Sequence, residues 1–382
     1  MTKSRVLVIT NFATHYRAPL FELMHERLGA EFVFFSQGGE EYWQPHLGVS
    51  TGRFPGVTVP SGPSVGKLRL NAELWNELQS REFDVVIKCM NGRTELPLSY
   101  AAARRRGAAF VLWTGMWMHP SSAFHMASRP LARWVYRNSD AVVTYGDHVS
   151  RFVVSEGADA AGVFSAENAV NNTAYSLDVS TTQIAAVRQQ FEIGEDRVVL
   201  AVSRLVAGKG LEVLIDAMAG LVSPAQLVIV GTGPLSHMLR QRASDHGVRL
   251  SLVEGLSPHA MPPMYATAHV FVMPSITTRT FREPWGLACN EAMCQAVPVV
   301  ATTAVGAAAG GLVRDNETGL VVSEQNSDAL REAIQRLLSD EVLAARLGEN
   351  GRMRVKRTDY SNMVDGFECA IQRALARRGA QA

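Results

Sequence analysis

The feature that most limits what this chain can fold into is an alternation that starts twice. Short runs rich in Val, Ile and Phe are each followed by a longer amphipathic segment. Apolar runs of this length suit strands covered on both faces, and such strands are joined in parallel by crossover helices. In the first half the pattern predicts strands at 5–10, 31–36, 84–88, 109–113, 140–144 and 162–165, with helix-like segments at 18–28, 96–106 and 124–138. The second half predicts strands at 198–202, 226–230, 249–253, 270–273 and 298–301, and helices at 211–219, 235–246, 286–295, 328–339 and 341–349. The stretch 40–68 is rich in Gly and Pro and reads as an excursion from the first sheet. Residues 168–182 are polar, Asn-rich and aperiodic, as expected of a linker.

The expected architecture is α/β, with parallel-sheet domains over 1–175 and 183–355. A helical segment over 356–382, patterned by Met363, Phe367, Ile371 and Leu375, would cap either domain, packing back on the N-terminal one being one arrangement. Open parallel sheets bind ligands beyond the carboxyl ends of their strands, and two such edges facing each other would make a cleft. The chemistry is therefore sought in strand-to-helix loops.

Composition narrows the partners. A chain of 382 residues is long enough for two cores. Its 37 Lys plus Arg nearly cancel 36 Asp plus Glu, which argues against a nucleic-acid partner held by bulk positive charge. The four cysteines form no Cys-x-x-Cys pair and read as reduced, buried thiols. The first apolar run, Val6–Thr10, is too short for a secretory signal, and none approaches the ~18 residues of a membrane span. A cytoplasmic protein is expected. Contact with the inner face of the plasma membrane stays open. Arg104, Arg105 and Arg106, with Arg129, Arg133 and Arg137 beside Phe124, Leu131, Trp134 and Val135, suit anionic lipid or simply solvated helix ends and a core-facing stripe.

Three loops of the second half carry charge or glycine where a ligand would sit. Ser203-Arg204-Leu205-Val206-Ala207-Gly208-Lys209-Gly210 places two cations five positions apart before a helix, an arrangement suited to an anion and equally to two solvated side chains. It is neither a P-loop nor a dinucleotide fingerprint, because Val213 stands where a third glycine would be needed. The turn Gly231-Thr232-Gly233-Pro234 lets a ligand or a neighbouring loop approach the main chain. Leu256, in the loop after the third strand, is placed to line a base pocket. The most specific element is Arg282-Glu283-Pro284-Trp285-Gly286-Leu287, continuing to Glu291. It sets two carboxylates around a helix start whose free N–H groups near Gly286 and Leu287 would receive a phosphate.

Taken in order, these motifs resemble the donor-binding half of retaining glycosyltransferases of family 4 (glycosyl transferases group 1), which have the two-domain GT-B fold. The Ser-Arg-Leu…Lys-Gly loop, the Gly-Thr-Gly-Pro turn, the Glu-x7-Glu element, Pro298 to Gly306 and Asp315 to Leu320 carry the match. The resemblance implies that Arg204 and Lys209 hold the donor diphosphate and that Glu283 bonds hydroxyls of the transferred sugar. It implies that the Gly286 and Leu287 amides meet phosphate or sugar oxygens and that Glu291 bonds the ribose, with Ser203, Gly233 and Leu256 lining the donor. Where Trp285 stands, the family usually has a small or aromatic residue; here the Trp would narrow the sugar pocket or pack beside Pro284. On the acceptor side, Tyr16 and Arg17 follow the first strand and are expected at the mouth of the cleft. Relatives place a histidine just after the strand that ends at Trp113; here Thr114 and Gly115 stand there and His119 comes later.

The implied reaction is transfer of a hexose or deoxyhexose, with retention, from a nucleotide diphosphate sugar to a hydroxyl. The acceptor would be a bacterial polysaccharide, a glycolipid or a small natural product. No cofactor is expected, and with no Asp-x-Asp in the chain a metal-held diphosphate has no candidate ligands. A non-catalytic nucleotide-sugar-binding subunit and a sugar-nucleotide epimerase of the same fold are the competing readings.

Overall fold

The computed structural model describes residues 4–36, 53–60, 62, 64–65, 68–69 and 71–380. Most of the excursion expected over 40–68 lies outside them. The chain divides into two compact units, one of 1–117, 124–167 and 360–382, the other of 118–123 and 168–359. The segment expected as a linker, 168–182, is grouped with the second unit.

The first unit is built on β1 (Val6–Thr10), β2 (Glu31–Phe34), β3 (Gly56–Thr58), β6 (Val85–Cys89), β7 (Ala109–Thr114), β8 (Ala141–Thr144) and β9 (Val163–Ser165). Their order across the sheet is β3-β2-β1-β6-β7-β8-β9, and every neighbouring pair is parallel. Two short strands, β4 (Ser64–Val65) and β5 (Leu68–Arg69), pair antiparallel outside it. Every residue of β1, β7 and β8 is buried, which explains their continuous apolar runs. The helix Ala18–Leu28 carries Pro19 in its first turn, which its fixed φ suits, and buries Leu20, Phe21, Met24 and Leu28.

The last helix, Tyr360–Gly379, belongs to this unit. It buries Met363, Val364, Phe367, Ala370 and Ile371, and the Phe367 ring meets Trp113 edge-on at 5.1 Å. Arg27 pairs with Asp365 at 2.6 Å and Glu368 at 2.9 Å.

The second unit carries β10 (Arg197–Val202), β11 (Ala225–Val230), β12 (Leu250–Val253), β13 (Val270–Met273), β14 (Val299–Thr302) and β15 (Leu320–Val322), in the all-parallel order β12-β11-β10-β13-β14-β15. Its core gathers Leu200-flanking strand residues with Leu214, Ile215, Leu330, Ile334 and Leu347 of the covering helices. In each sheet the chain order reverses beside the first strand, between β1 and β6 and again between β10 and β13. Loops diverge there and leave a crevice at the carboxyl edge, which is where ligands of doubly wound sheets bind.

Candidate functional site

At the second sheet's reversal point, the loop after β10 meets the loop after β13. Glycine at 210 has φ +64°, and a Cβ there would lie 2.0 Å from the Pro274 carbonyl oxygen, so only glycine lets the two loops approach this closely. Ile276 N–H donates to the Gly208 carbonyl at 3.0 Å and closes the contact.

This brings Lys209 and Glu283 together. The Lys209 ammonium pairs with Glu283 Oε2, and both side chains are nearly enclosed, at 11% and 9% exposure. Ser275 Oγ donates to the same carboxylate oxygen at 3.2 Å. The Phe281 ring lies under the ammonium, 5.1 Å from its centroid. Glu283 itself is held by a parallel bridge to Val305 and by Gly306 N–H donating to its carbonyl at 3.1 Å. The loop is tied further by Glu324, whose Oε1 accepts from Thr277 Oγ1 at 2.8 Å and whose Oε2 accepts from Thr277 N–H.

Ser203 and Arg204 stand at the other end of the loop, Ser203 half-buried and Arg204 exposed. Here the turn at Gly231 and Gly233 packs on them: a Cβ at 231 would fall 1.9 Å from the Ser203 carbonyl oxygen. Leu205 N–H donates to the Thr232 carbonyl at 2.8 Å, joining the two turns. Leu256 is half-buried in the loop that follows β12. Gly286 caps the helix Leu287–Cys294 without a side-chain acceptor, leaving its first amides to be met from outside.

Glu291 lies inside that helix, bonded to the Tyr265 hydroxyl, which donates at 2.6 Å. Burial raises the Glu291 carboxyl above its ordinary value, an effect opposed by the hydroxyls of Tyr265 and Tyr175. Burial, with the Glu291 charge, likewise holds the Tyr265 phenol well above its usual range.

Two of the expected residues are buried. The Trp285 side chain is only 1% exposed, and its indole N–H donates to Asn290 Oδ1 at 2.8 Å. It packs in the core beside Pro284, one of the two placements expected for it. Arg17, expected at a cleft mouth, is 8% exposed in the first unit. Its guanidinium sits among the rings of Tyr16, Trp113 and Tyr145, at 5.6, 5.1 and 5.5 Å, and Nη2 donates to the Tyr145 hydroxyl at 3.1 Å. Tyr360 of the last helix donates to the Tyr16 carbonyl at 2.6 Å, so that helix covers the loop. His119 falls in the 118–123 segment, which belongs to the second unit and is fixed there by Ser121 N–H donating to the Arg279 carbonyl at 2.7 Å.

Sequence reasoning passed over Ser275, Tyr265 and Glu324, whose neutral or solitary residue types carry no spacing signal. It also passed over Lys88, a fully buried lysine at the carboxyl end of β6. Its ammonium donates to the carbonyls of Cys89 and Asn91 and to Asn91 Oδ1 at 2.7–2.8 Å. The Asn91 amide in turn donates to Asn11 Oδ1 at 3.1 Å, locking the loop after β1.

The family model for glycosyl transferases group 1 matches residues 183–354, the span that holds the Lys209–Glu283 pair. A GDP-mannose-dependent α-(1-6)-phosphatidylinositol monomannoside mannosyltransferase of Mycolicibacterium smegmatis is 32% identical over 282 residues, covering 71% of this chain and 72% of that one. The chain belongs to the glycosyl transferases group 1. A protein of the same description from Mycobacterium tuberculosis is 29% identical to this glycosyltransferase over 307 residues, 78% of this chain and 77% of the other. Among solved structures, Anabaena HepE in complex with UDP and glucose superposes with a TM-score of 0.78 at 20% identity, over 97% of this chain and 99% of its own. The glycosyltransferase therefore has the GT-B fold implied by the resemblance, with two Rossmann-like parallel-sheet domains. No helix among its described residues is long and apolar enough to cross a membrane.

Proposed function

We propose that this glycosyltransferase moves a hexose or deoxyhexose from a nucleotide diphosphate sugar to an acceptor hydroxyl, with retention and without a metal ion or cofactor. The observation that carries the reading is the enclosed Lys209–Glu283–Ser275 cluster at the reversal point of the second sheet, beside the start of the helix Leu287–Cys294, which has no side-chain cap.

A nucleotide sugar already has a good leaving group, so the protein's task is to stabilise charge on the departing diphosphate and to orient the acceptor. Lys209 spends one N–H on Glu283, which leaves donors for phosphate oxygens. Arg204 on the same loop adds a second cation, and the Gly286 and Leu287 amides add neutral donors. Glu283, paired with Lys209, accepts from hydroxyls of the transferred sugar, and Glu291 accepts from the ribose. Ser203, Gly233 and Leu256 line the nucleotide, and His119 contacts the sugar. The acceptor hydroxyl attacks the face the diphosphate leaves, through an oxocarbenium-like state, and passes its proton to the departing phosphate. Relatives named for phosphatidylinositol monomannoside support a glycolipid as the acceptor class, with polysaccharide and small-molecule acceptors behind it.

The first test is a thermal-shift panel of UDP, GDP, dTDP and ADP sugars, in which one donor should raise the melting point well above the others. With that donor, Arg204→Gln, Lys209→Met and Glu283→Gln should each lower turnover by about 100-fold, the size typical for loss of one charge-stabilising group. Near-normal turnover in all three folded variants refutes the site.

A further inference from the structure

We propose that Phe281 is a positioning residue for the transfer: its ring face directs the Lys209 ammonium at the donor diphosphate without consuming its charge. The inference rests on the reading of Lys209 as a diphosphate contact. A lysine ends in a point charge on a flexible stem, so something must fix its direction. Here the ammonium meets Glu283 on one side and the Phe281 ring on another, 5.1 Å from the ring centroid. At that distance the negative face of an aromatic ring attracts a cation. A second carboxylate in the ring's place would cancel the charge that the leaving group needs. The ring holds the ammonium by its quadrupole, which takes up neither a proton nor a full unit of charge.

Two local features put the ring there. A Cβ at position 208 would lie 2.6 Å from Phe281 Cδ1, so the ring rests on the backbone of the residue before Lys209, and a larger residue at 208 would push it off. The turn that carries Phe281 is closed by Thr278, whose N–H donates to the Phe281 carbonyl at 2.8 Å and whose Oγ1 accepts from the Phe281 N–H at 3.0 Å. Ser121 N–H adds a bond to the Arg279 carbonyl of the same turn at 2.7 Å. Phe281 is half-buried, and these ties hold a ring that packing alone would leave looser. With Glu283 and the ring each covering one side of Lys209, the part of its side chain still open, 11%, is what a phosphate oxygen can reach.

The test uses the full chain with the phenylalanine at 281 replaced by its mono-, di- and trifluoro analogues, which weaken the negative face in steps while barely changing its size. Without ligand, the Lys209 Hε resonances should lie upfield through the ring current and return to ordinary lysine values in Phe281→Leu. Affinity for whichever of UDP, GDP, dTDP and ADP binds most tightly should fall along the fluorine series. In Phe281→Leu it should fall about tenfold, the equivalent of about 1.4 kcal/mol. Phe281→Tyr, which restores a ring face, should recover most of that loss, and Gly208→Ala, which displaces the ring, should reproduce it. With the matching nucleotide sugar, kcat should fall along the series more than KM rises, because charge on the diphosphate grows in the transition state. A flat fluorine series, or Lys209 resonances without an upfield shift, overturns the proposal and leaves Lys209 as a phosphate contact. If none of the four nucleotides binds, or Lys209→Met binds one as tightly as the unaltered chain does, the reading of the site falls and this inference with it.

Discussion

Breaking the Lys209–Glu283 pair should cost the second unit measurable stability even before a donor is added. The two side chains are 11% and 9% exposed, so solvent screens little of their attraction. At an effective dielectric of about 20 and ~3 Å separation, that attraction is about 5 kcal/mol, much of it offset by desolvation. Lys209→Met removes the cation and leaves an enclosed carboxylate that still accepts from Ser275 Oγ. Loss of one partner of a buried pair typically costs about 3–5 kcal/mol. For a unit of this size that is a fall of roughly 6–20 °C in melting point, at about 2–4 °C per kcal/mol. Glu283→Gln should cost less, because the amide oxygen still accepts from Lys209 and Ser275. In the double variant both charges are gone, and stability should recover by about 2 kcal/mol relative to the sum of the single losses. Thermal and urea denaturation of all four proteins measure this. Additive losses, or single shifts under about 2 °C, would mean that the two groups do not form an enclosed pair. The double variant also separates folding from chemistry, since it should regain stability and stay inactive.

Glu291 gives a pH signature. Burial raises its folded-state value above the ordinary 4.5, so between those two values the folded chain holds more protons than the unfolded one, and stability should fall as pH rises through that window. Glu291→Gln, which can still accept from Tyr265, should flatten that part of a denaturation-midpoint series. Lys88 gives the opposite slope at higher pH. Burial pulls its ammonium down from 10.5 to about 7, so between those values the unfolded chain holds more protons and stability should climb with pH. Lys88→Met should remove the climb and speed hydrogen exchange in the loop after β1; an unchanged slope would show that Lys88 does not titrate there. Phe367→Ala should cost about 3–5 kcal/mol by leaving a cavity under the last helix, seen as a lower urea midpoint. A cost below about 1 kcal/mol would mean the helix is not anchored through that ring.

Most of both sheets was legible because strands covered on both faces need unbroken apolar runs, as in Val6–Thr10 and Val270–Met273. What escaped was short or polar. Strand β3, Gly56–Thr58, is three residues with two exposed, and β15, Leu320–Val322, is equally short. The helix Thr181–Gln190 buries only Val187, so its apolar pattern is weak, although Ser180 and Gln183 form a capping box in what reads as a linker. In the site, charged residues on loops announced themselves, whereas their holders did not. Nothing in the local sequence says that Tyr265 reaches Glu291 or that Glu324 ties down Thr277, because these contacts join residues 26 and 47 positions apart. Trp285 and Arg17 illustrate the converse. Their residue types suit ligands, and only tertiary burial commits them to packing.

Lysines at the two reversal points show how such cases are told apart. Lys88 is the last residue but one of β6 and Lys209 follows β10, each beside the crevice of its own sheet. Lys88 is wholly enclosed, and its three N–H donors meet three oxygens of its own turn, so no donor is left for a ligand. Lys209 is slightly open and meets one carboxylate oxygen and the face of Phe281, neither of which exhausts an ammonium. The same residue type beside each reversal point spends all its donors in one sheet and keeps spare donors in the other. Spare hydrogen-bonding capacity, rather than charge or burial alone, separates them. A double-charged phosphate should therefore stabilise the second unit through Lys209 and leave Lys88 unprotected against its own pH transition.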